Sequence, residues 1–332
     1  MIELQAPGPE EVWAAAMRLK PHVLRTPLVR LNADADACEI YIKMENLQPT
    51  GSFKVRPAAN AVLQAAAESL TDGVYTASSG NMAQGVSYIA RRLNLPATVL
   101  LPTDSAATKV ASLKRLGADI RFIDQQEWWQ ILANHGCASL KGLFVHPVAN
   151  PDVIAGNATI GLEIHEDLPD VDTVVVPFGG GGLSTGIASG LRVAGSRARV
   201  VAAESDHCTP LAAAFQANQP VALAIEASFV SGIGVGRVLN EMWPLVRKLI
   251  DGAIVADAEE IVATVRLLFE RHRIIAEGAG AASVAAALAG RAGKGKVVCV
   301  ISGGNLDDSC LIDIIRGRIP KPMLPTDRVP VT

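Results

Sequence analysis

The chain has 332 residues, of which 49% are apolar and 19% charged, and a formal net charge of −3. That balance excludes a disordered or fibrous chain, and the length points to one large α/β domain or two unequal lobes. So small a charge gives no electrostatic footing for nucleic acid or an anionic membrane surface as partner.

Pro9-Glu10 opens an amphipathic helix to about Leu19, with Trp13 and Met17 on one face. Thr26–Leu31 reads as a short extended segment and Glu39–Met44 as a strand. A break follows at NLQPTGSFK (residues 46–54), and Ala58–Ala67 repeats apolar residues at helical spacing. The chain then alternates: strand Gly73–Ala77, helix Ala83–Leu93, strand Ala97–Pro102, helix Ala106–Leu116, strand Asp119–Ile123, helix Glu127–Asn134. A second series begins with helix Pro151–Glu166, strand Thr173–Val176, a glycine run, helix Ser184–Val193 and strand Arg199–Ala203. Helices around Thr209–Ala217 and Gly236–Leu245, a strand at Ile254-Val255, helices Ala258–Arg271 and Gly280–Gly290, and strand Lys296–Ile301 complete it. Strands alternating with helices predict an α/β fold with parallel, doubly wound sheets and ligands at the C-terminal strand ends. The two series predict two such lobes, joined near His146–Pro151. The tail Lys321–Thr332, with three prolines, reads as extended and peripheral.

The five cysteines are scattered and never in C-x-x-C spacing, which suits reduced thiols in the cytoplasm. The N-terminus MIELQAPGPEEVWAAAMRLK lacks the apolar core of a signal peptide. No run approaches the ~20 uninterrupted apolar residues of a membrane span. A cytoplasmic location is expected.

Four segments that follow strands or strand-like runs and precede helices carry chemistry. In NLQPTGSFKVRPAAN, Lys54 stands between Phe53 and Val55 with little solvating company. Most lysines in turns are solvated; one packed among apolar groups loses ammonium stability and becomes a nucleophile, suited to Schiff-base formation. In TASSGNMAQG, Ser78 or Ser79 is placed to cap a helix while Gly80 lets backbone N–H groups converge on a carboxylate or phosphate; an ordinary N-cap reads equally well. In VPFGGGGLSTG, four consecutive glycines, Gly179 to Gly182, exceed what a turn needs and suit close backbone approach to a phosphate. Glu204 lies roughly 20 residues on, as in a dinucleotide fingerprint, but no G-x-G-x-x-G fits these glycines and no Walker lysine is present. In VISGGN, Ser302 sits on a glycine-flanked turn that is either turn chemistry or a donor to a bound ring.

Taken together these segments resemble the serine/threonine dehydratase family of pyridoxal-phosphate enzymes (fold type II, tryptophan synthase β-like), over about Leu24 to Asp307. The resemblance implies Lys54 as the Schiff-base lysine and Phe53 packed on the pyridine ring. It implies Asn81 as partner of the phenolic oxygen, and Ser78, Ser79, Gly80 and Asn81 as the grip on the substrate carboxylate. Gly179, Gly180, Gly181, Gly182 and Leu183 match the phosphate cup, Ser302 the partner of the ring nitrogen, and Glu277 an acid near the ring edge. Also implied are a large cofactor-binding domain (1–50 and 148–332), a small domain closing over the substrate (51–147), and a homodimer. A hydroxyl at the ring nitrogen is a weaker support for negative charge than a carboxylate, which favours β-elimination from a 3-hydroxy amino acid to an α-keto acid and ammonia. The chain stops soon after SGGN, so no appended regulatory domain is expected.

Four departures bear on substrate and activity. Met82 stands where the family's dehydratases commonly have His, suggesting a less polar substrate end. Trp128-Trp129 reads either as helix packing or, through Trp129, as an apolar wall for a bulky substituent such as that of 3-phenylserine. Glu204 fits an activating metal site but its expected acidic companion falls near Pro210, so no metal is expected. Ser79 stands where racemizing members carry a serine able to return a proton to Cα, so racemase side activity is expected. An amino-acid racemase is the second reading, a nicotinamide-linked oxidoreductase the third, and an inactive ligand-sensing relative the fourth. Pro57, where the family usually has Gly, suits a helix's first turn.

Overall fold

The computed structural model describes residues 4–33, 38–103, 105 and 107–322. Most of the proline-bearing tail, from residue 323 on, lies outside that set. The strands are β1 (Leu28–Arg30), β2 (Cys38–Met44), β3 (Val74–Ala77), β4 (Ala97–Pro102), β5 (Asp119–Ile123), β6 (Leu143–Phe144), β7 (Thr173–Pro177), β8 (Arg199–Ser205), β9 (Gly252–Ala256) and β10 (Gly295–Ile301). The helices are α1 (Pro9–Leu19), α2 (Val55–Gln64), α3 (Asn81–Arg92), α4 (Ala107–Arg115), α5 (Gln125–Ala133), α6 (Pro151–Asp167), α7 (Gly182–Val193), α8 (Pro210–Ala217), α9 (Trp243–Leu249), α10 (Ala258–Leu267), α11 (Gly278–Leu288) and α12 (Asp308–Ile315).

Among the described residues two sheets result, in the orders β1-β2-β10-β7-β8-β9 and β5-β4-β3-β6. All pairings are parallel except β1 with β2, an antiparallel edge on the larger sheet. Burial on both faces explains the near-continuous apolar strands. Along β7, Val174 and Val176 enter one large-lobe core while Val175 enters the other; β10 divides the same way, with Val298 and Val300 against Val297, Cys299 and Ile301. That is the two-residue period of a strand covered on both sides.

Three differences from the sequence reading have local causes. The helix expected over Gly236–Leu245 begins only at Trp243, because Pro244 fits a helix's first turn and not its interior. The helix expected over Ala258–Arg271 changes at Leu268 into a π-turn that ends on Arg273 in the left-handed region. Strand β6 has two residues, too short to show a period.

Helices α6 and α7 pack backbone to backbone. A Cβ on Gly190 would lie 1.9 Å from the Ala158 carbonyl oxygen, and one on Gly161 2.3 Å from that of Ile187. Asn157 of α6 donates to the Gly182 carbonyl (3.0 Å), which ties α6 to the start of α7.

Candidate active site

The segments singled out in the sequence all leave C-terminal strand ends: residues 45–54 follow β2, 78–80 follow β3, 178–181 follow β7 and 302–305 follow β10. In parallel sheets those ends lie along one edge, where ligands bind.

The turn bearing Lys54 is stitched to the end of β10. Phe53 N–H donates to the Ser302 carbonyl (3.0 Å) and Gly304 N–H to that of Gly51 (2.9 Å), while Ser52 and Gly303 form an antiparallel bridge. Gly51 has φ +70°, and a Cβ there would lie 2.6 Å from Asn305 Oδ1, so glycine is required on two counts. Lys54 immediately precedes α2. Its amine donates to the Pro147 carbonyl (2.7 Å) and sits 5.0 Å from the centroid of the Phe53 ring. Desolvation lowers its pKa to about 8, so near neutral pH the free amine is far more accessible than on a surface lysine.

Two residues on, Arg56 anchors α2 in a buried charge network. Its guanidinium donates to Glu45 (2.8 Å from both Nε and Nη2), to Glu163 (2.7 and 2.9 Å), to Thr159 Oγ1 and to the Leu24 carbonyl. Lys43 joins through Glu163 (2.6 Å) and the Thr26 carbonyl (2.7 Å). Pro57 is the third residue of α2, where the backbone N–H would have no helical partner, so its missing donor costs nothing. Gly156 of α6 lies against it: a Cβ there would sit 2.8 Å from Pro57 Cα.

After β3, Gly80 rather than either serine is the N-cap of α3, and no side chain caps the helix. Ser78 Oγ accepts from Gly80 N–H (3.3 Å), while Ser79 Oγ has no partner among the described residues. Asn81 reaches across to the large lobe, donating to Glu277 Oε1 (2.8 Å) and accepting from Asn305 Nδ2 (2.7 Å). Burial pushes the Glu277 carboxyl up to about 7, against the opposing pull of Asn81 and the Lys109 charge. Gly303 makes room for that carboxylate, since a Cβ there would lie 2.4 Å from Glu277 Oε1.

After β7, Gly181 adopts φ +93° and leads into α7. The backbone N–H groups of residues 179 to 184 donate to nothing among the described residues. Converging donors at a helix N-terminus form an anion cup. The Leu183 side chain is in the large-lobe core, so its share in the cup is its backbone. Val148 closes one side, because a Cβ on Gly180 would meet its methyls at 2.5 and 2.7 Å.

The family model for pyridoxal-phosphate dependent enzymes matches residues 19–303. The chain belongs to that family. An L-threonine ammonia-lyase of Thermotoga maritima is 36% identical over 319 residues, which cover 94% of this chain and 79% of that protein. A catabolic L-threonine dehydratase of Escherichia coli is 35% identical over 310 residues, covering 90% and 93%. The structure of maize serine racemase is similar with a TM-score of 0.83 at 28% identity, covering 93% of this chain and 96% of that one. Pyridoxal phosphate is therefore the cofactor of this enzyme, a lyase of the ammonia-lyase type, and the nicotinamide reading of the glycine run is set aside.

The residues fit such a group. The unpartnered N–H groups of 179–184 suit a phosphate, and the lowered amine of Lys54 suits an aldehyde. The Ser302 hydroxyl, buried at the end of β10 and bonded to no group among the described residues, suits a ring nitrogen. When bound, the cofactor supplies a sink for the electron pair left on the substrate's Cα.

The structure also places Glu204, Met82 and the tryptophan pair. Glu204 is spent inside the protein: its two carboxylate oxygens accept the N–H groups of Leu211 and Ala212 (2.7 and 2.9 Å), capping α8, and burial raises it to about 7. Met82 is 1% exposed and packs with Ala58, Ala59, Val86 and Val145 in the small-lobe core, beneath the loop rather than in the cleft. Trp128 packs on the cluster of Tyr75, Ala77 and Leu100, which is the packing role. Trp129 is 48% exposed, and its ring contact is edge-on to Trp128, so the structure does not join it to Lys54.

Sequence reasoning missed Asn305, Pro147 and Val148. Asn305 was within reach, as the last residue of the SGGN segment. The other two act through a backbone carbonyl and an ordinary apolar side chain, for which a sequence gives no signal.

Proposed function

We propose that the enzyme removes water from a 3-hydroxy amino acid of the threonine or serine type, and that the released enamine takes water back up in hydrolysis to an α-keto acid and ammonia. The carrying observation is the desolvated Lys54 amine on a turn that is bonded, through Phe53 N–H, to the carbonyl of Ser302 at the end of β10. The named activities of relatives at 35–36% identity point the same way. Ser78, Ser79, Gly80 and Asn81 bind the substrate carboxylate through hydroxyls and the backbone at the start of α3. Lys54 Nζ takes the α-proton, and the β-hydroxyl leaves with a proton as water. Ser302 stays neutral. Asn81, itself held by a bond from Asn305, holds Glu277 in place, and the raised Glu277 carboxyl can keep a proton near neutral pH.

Small side chains at the β-carbon are favoured over 3-phenylserine, since the relatives at 35–36% identity are named for threonine and no contact among the described residues joins Trp129 to Lys54. A homodimer acting in the cytoplasm completes the reading, and the five unpaired cysteines agree with a reducing compartment. Keto-acid release from serine, threonine, threo-3-phenylserine and 3-hydroxyaspartate tests it, with light scattering for the dimer. A visible cofactor band that borohydride abolishes and Lys54→Ala lacks is expected. If phenylserine far outpaces threonine, the substrate assignment fails.

A second reading, racemization, rests on the unpartnered Ser79 hydroxyl. It is proposed as a side activity, with elimination dominant.

A further inference from the structure

We propose that the turn centred on His146 is a positioning device for Lys54: it aims the Pro147 carbonyl at the lysine's amine and keeps that side of the site uncharged. The proposal rests on the reading of Lys54 as the reactive amine.

The crossing from β6 to α6 runs through His146, Pro147, Val148 and Ala149. His146 is 3% exposed, and its Nδ1 accepts two backbone N–H groups, from Val148 (3.0 Å) and Ala149 (2.7 Å). An imidazole nitrogen that accepts is unprotonated, so these bonds fix the neutral ring with its proton on Nε2. They also fold the chain into a tight turn with Pro147 at its apex, which sets the direction of the Pro147 carbonyl. That carbonyl is the hydrogen-bond acceptor of Lys54 Nζ. The next residue, Val148, is the one that braces Gly180 and Gly182 of the anion cup. One ring thus holds both the lysine's partner and the wall of the cup.

Neutrality is what the site needs there. Burial and the nearby charges of His135 and Lys54 drive the His146 pKa down to about 3, and a hydrogen bond to the Leu132 backbone opposes them only partly. The outer face of the ring is covered by His135, stacked at 4.6 Å between centroids and 20° between planes, and Phe144 lies edge-on at 6.0 Å. His135 in turn bonds Glu241 of the large lobe (2.9 and 3.1 Å), which ties the stack to that lobe. The ligand atoms of His135, His146 and Glu241 lie within 4.8 Å of one another. With the Nδ1 lone pair already occupied, the trio is a hydrogen-bonded stack and not a metal centre.

The test uses the full chain stripped of cofactor, in wild type and in His146→Leu, His146→Asn and His146→Gln. Sub-stoichiometric trinitrobenzenesulfonate is reacted across pH, and labelling of Lys54 is read by peptide mass spectrometry. Lys43, fully buried in the charge network, is the control for general loosening. Asparagine places an acceptor oxygen where Nδ1 stands; glutamine's amide reaches instead toward the place of Nε2. The expected result is a wild-type midpoint near 8. In His146→Leu and His146→Gln it should rise by about one unit or more, as the turn opens and water reaches the amine. His146→Asn should remain near wild type. Pyridoxal phosphate should reload more slowly into the two shifted variants, followed by visible absorbance. An unmoved Lys54 midpoint in folded His146→Leu overturns the proposal, as does equal behaviour of the Asn and Gln variants. If His146→Leu fails to fold, the Asn and Gln pair decides alone. Failure of borohydride to fix pyridoxal phosphate on Lys54 would instead sink the underlying reading of that lysine.

Discussion

Replacing Arg56 by methionine removes the guanidinium and leaves Glu45 and Glu163 facing a single ammonium, that of Lys43. Glu45 is completely buried. In the wild type, burial alone would raise its carboxyl, but the Arg56 charge and hydrogen bonds, with Lys43 and Thr26, hold it below the usual range. Leaving such a carboxylate uncompensated costs about 3–5 kcal/mol, or about 4–7 °C in Tm for a chain of this size. The pH dependence supplies the sign. A carboxyl depressed in the folded state contributes stability above the ordinary carboxyl range, and that stability is lost as pH falls through the folded value. In Arg56→Met the restraint is gone and burial raises Glu45, so this contribution reverses and the variant gains stability between pH 7 and 5. Adding Glu45→Gln removes the stranded charge and should recover about 1–3 kcal/mol. Thermal scans at one rate and one cofactor concentration, at pH 5 and 7, measure all three proteins. A Tm change under about 1 °C for Arg56→Met, or a double variant less stable than the single one, would refute the network as the anchor of α2.

Glu204, raised from 4.5 to about 7 by burial, binds its proton more tightly when folded, so its contribution is present below the unfolded value and lost as pH rises through 7. Wild type should lose about 2 kcal/mol between pH 5 and 7 from this group, and Glu204→Gln should flatten that slope in urea titrations at each pH. Gly180→Ala drives a methyl into Val148, and overpacking of about 1–3 kcal/mol corresponds to roughly ten-fold weaker pyridoxal phosphate binding; spectral titration should show partial rescue by Val148→Ala. Ser79→Ala should abolish D-isomer formation, followed by chiral chromatography, while keto-acid release persists. Unchanged D-isomer would remove Ser79 from that role.

Much of the site was legible because its chemistry needs unusual local sequence. Four glycines in a row, or a lysine between Phe53 and Val55 after a chain break, have few other uses. The alternation of strands and helices was equally readable, since burial on both faces writes long apolar runs into β7 and β10. What escaped depends on direction. Glu204 at a strand end looks the same whether its carboxylate turns to a metal or to the N–H groups of α8. Met82 follows Asn81 by one residue, yet on a helix that step swings the side chain by about 100°, from the cleft into the core. The Pro147 carbonyl belongs to the backbone, which every residue has.

The close packing of α6 and α7 gives cofactor affinity a remote determinant. Gly190 lies about 12 Å along α7 from Gly182, on the far end of the helix from the cup. A methyl there would press backbone on backbone at 1.9 Å and has no flexible side chain to push aside. The helix would have to slide or tilt as a unit, carrying the first-turn N–H groups with it and straining the bond from Asn157 to Gly182. The spacing of two helices is thus a setting on phosphate capture, and Gly190→Ala should loosen pyridoxal phosphate although it touches nothing the cofactor touches.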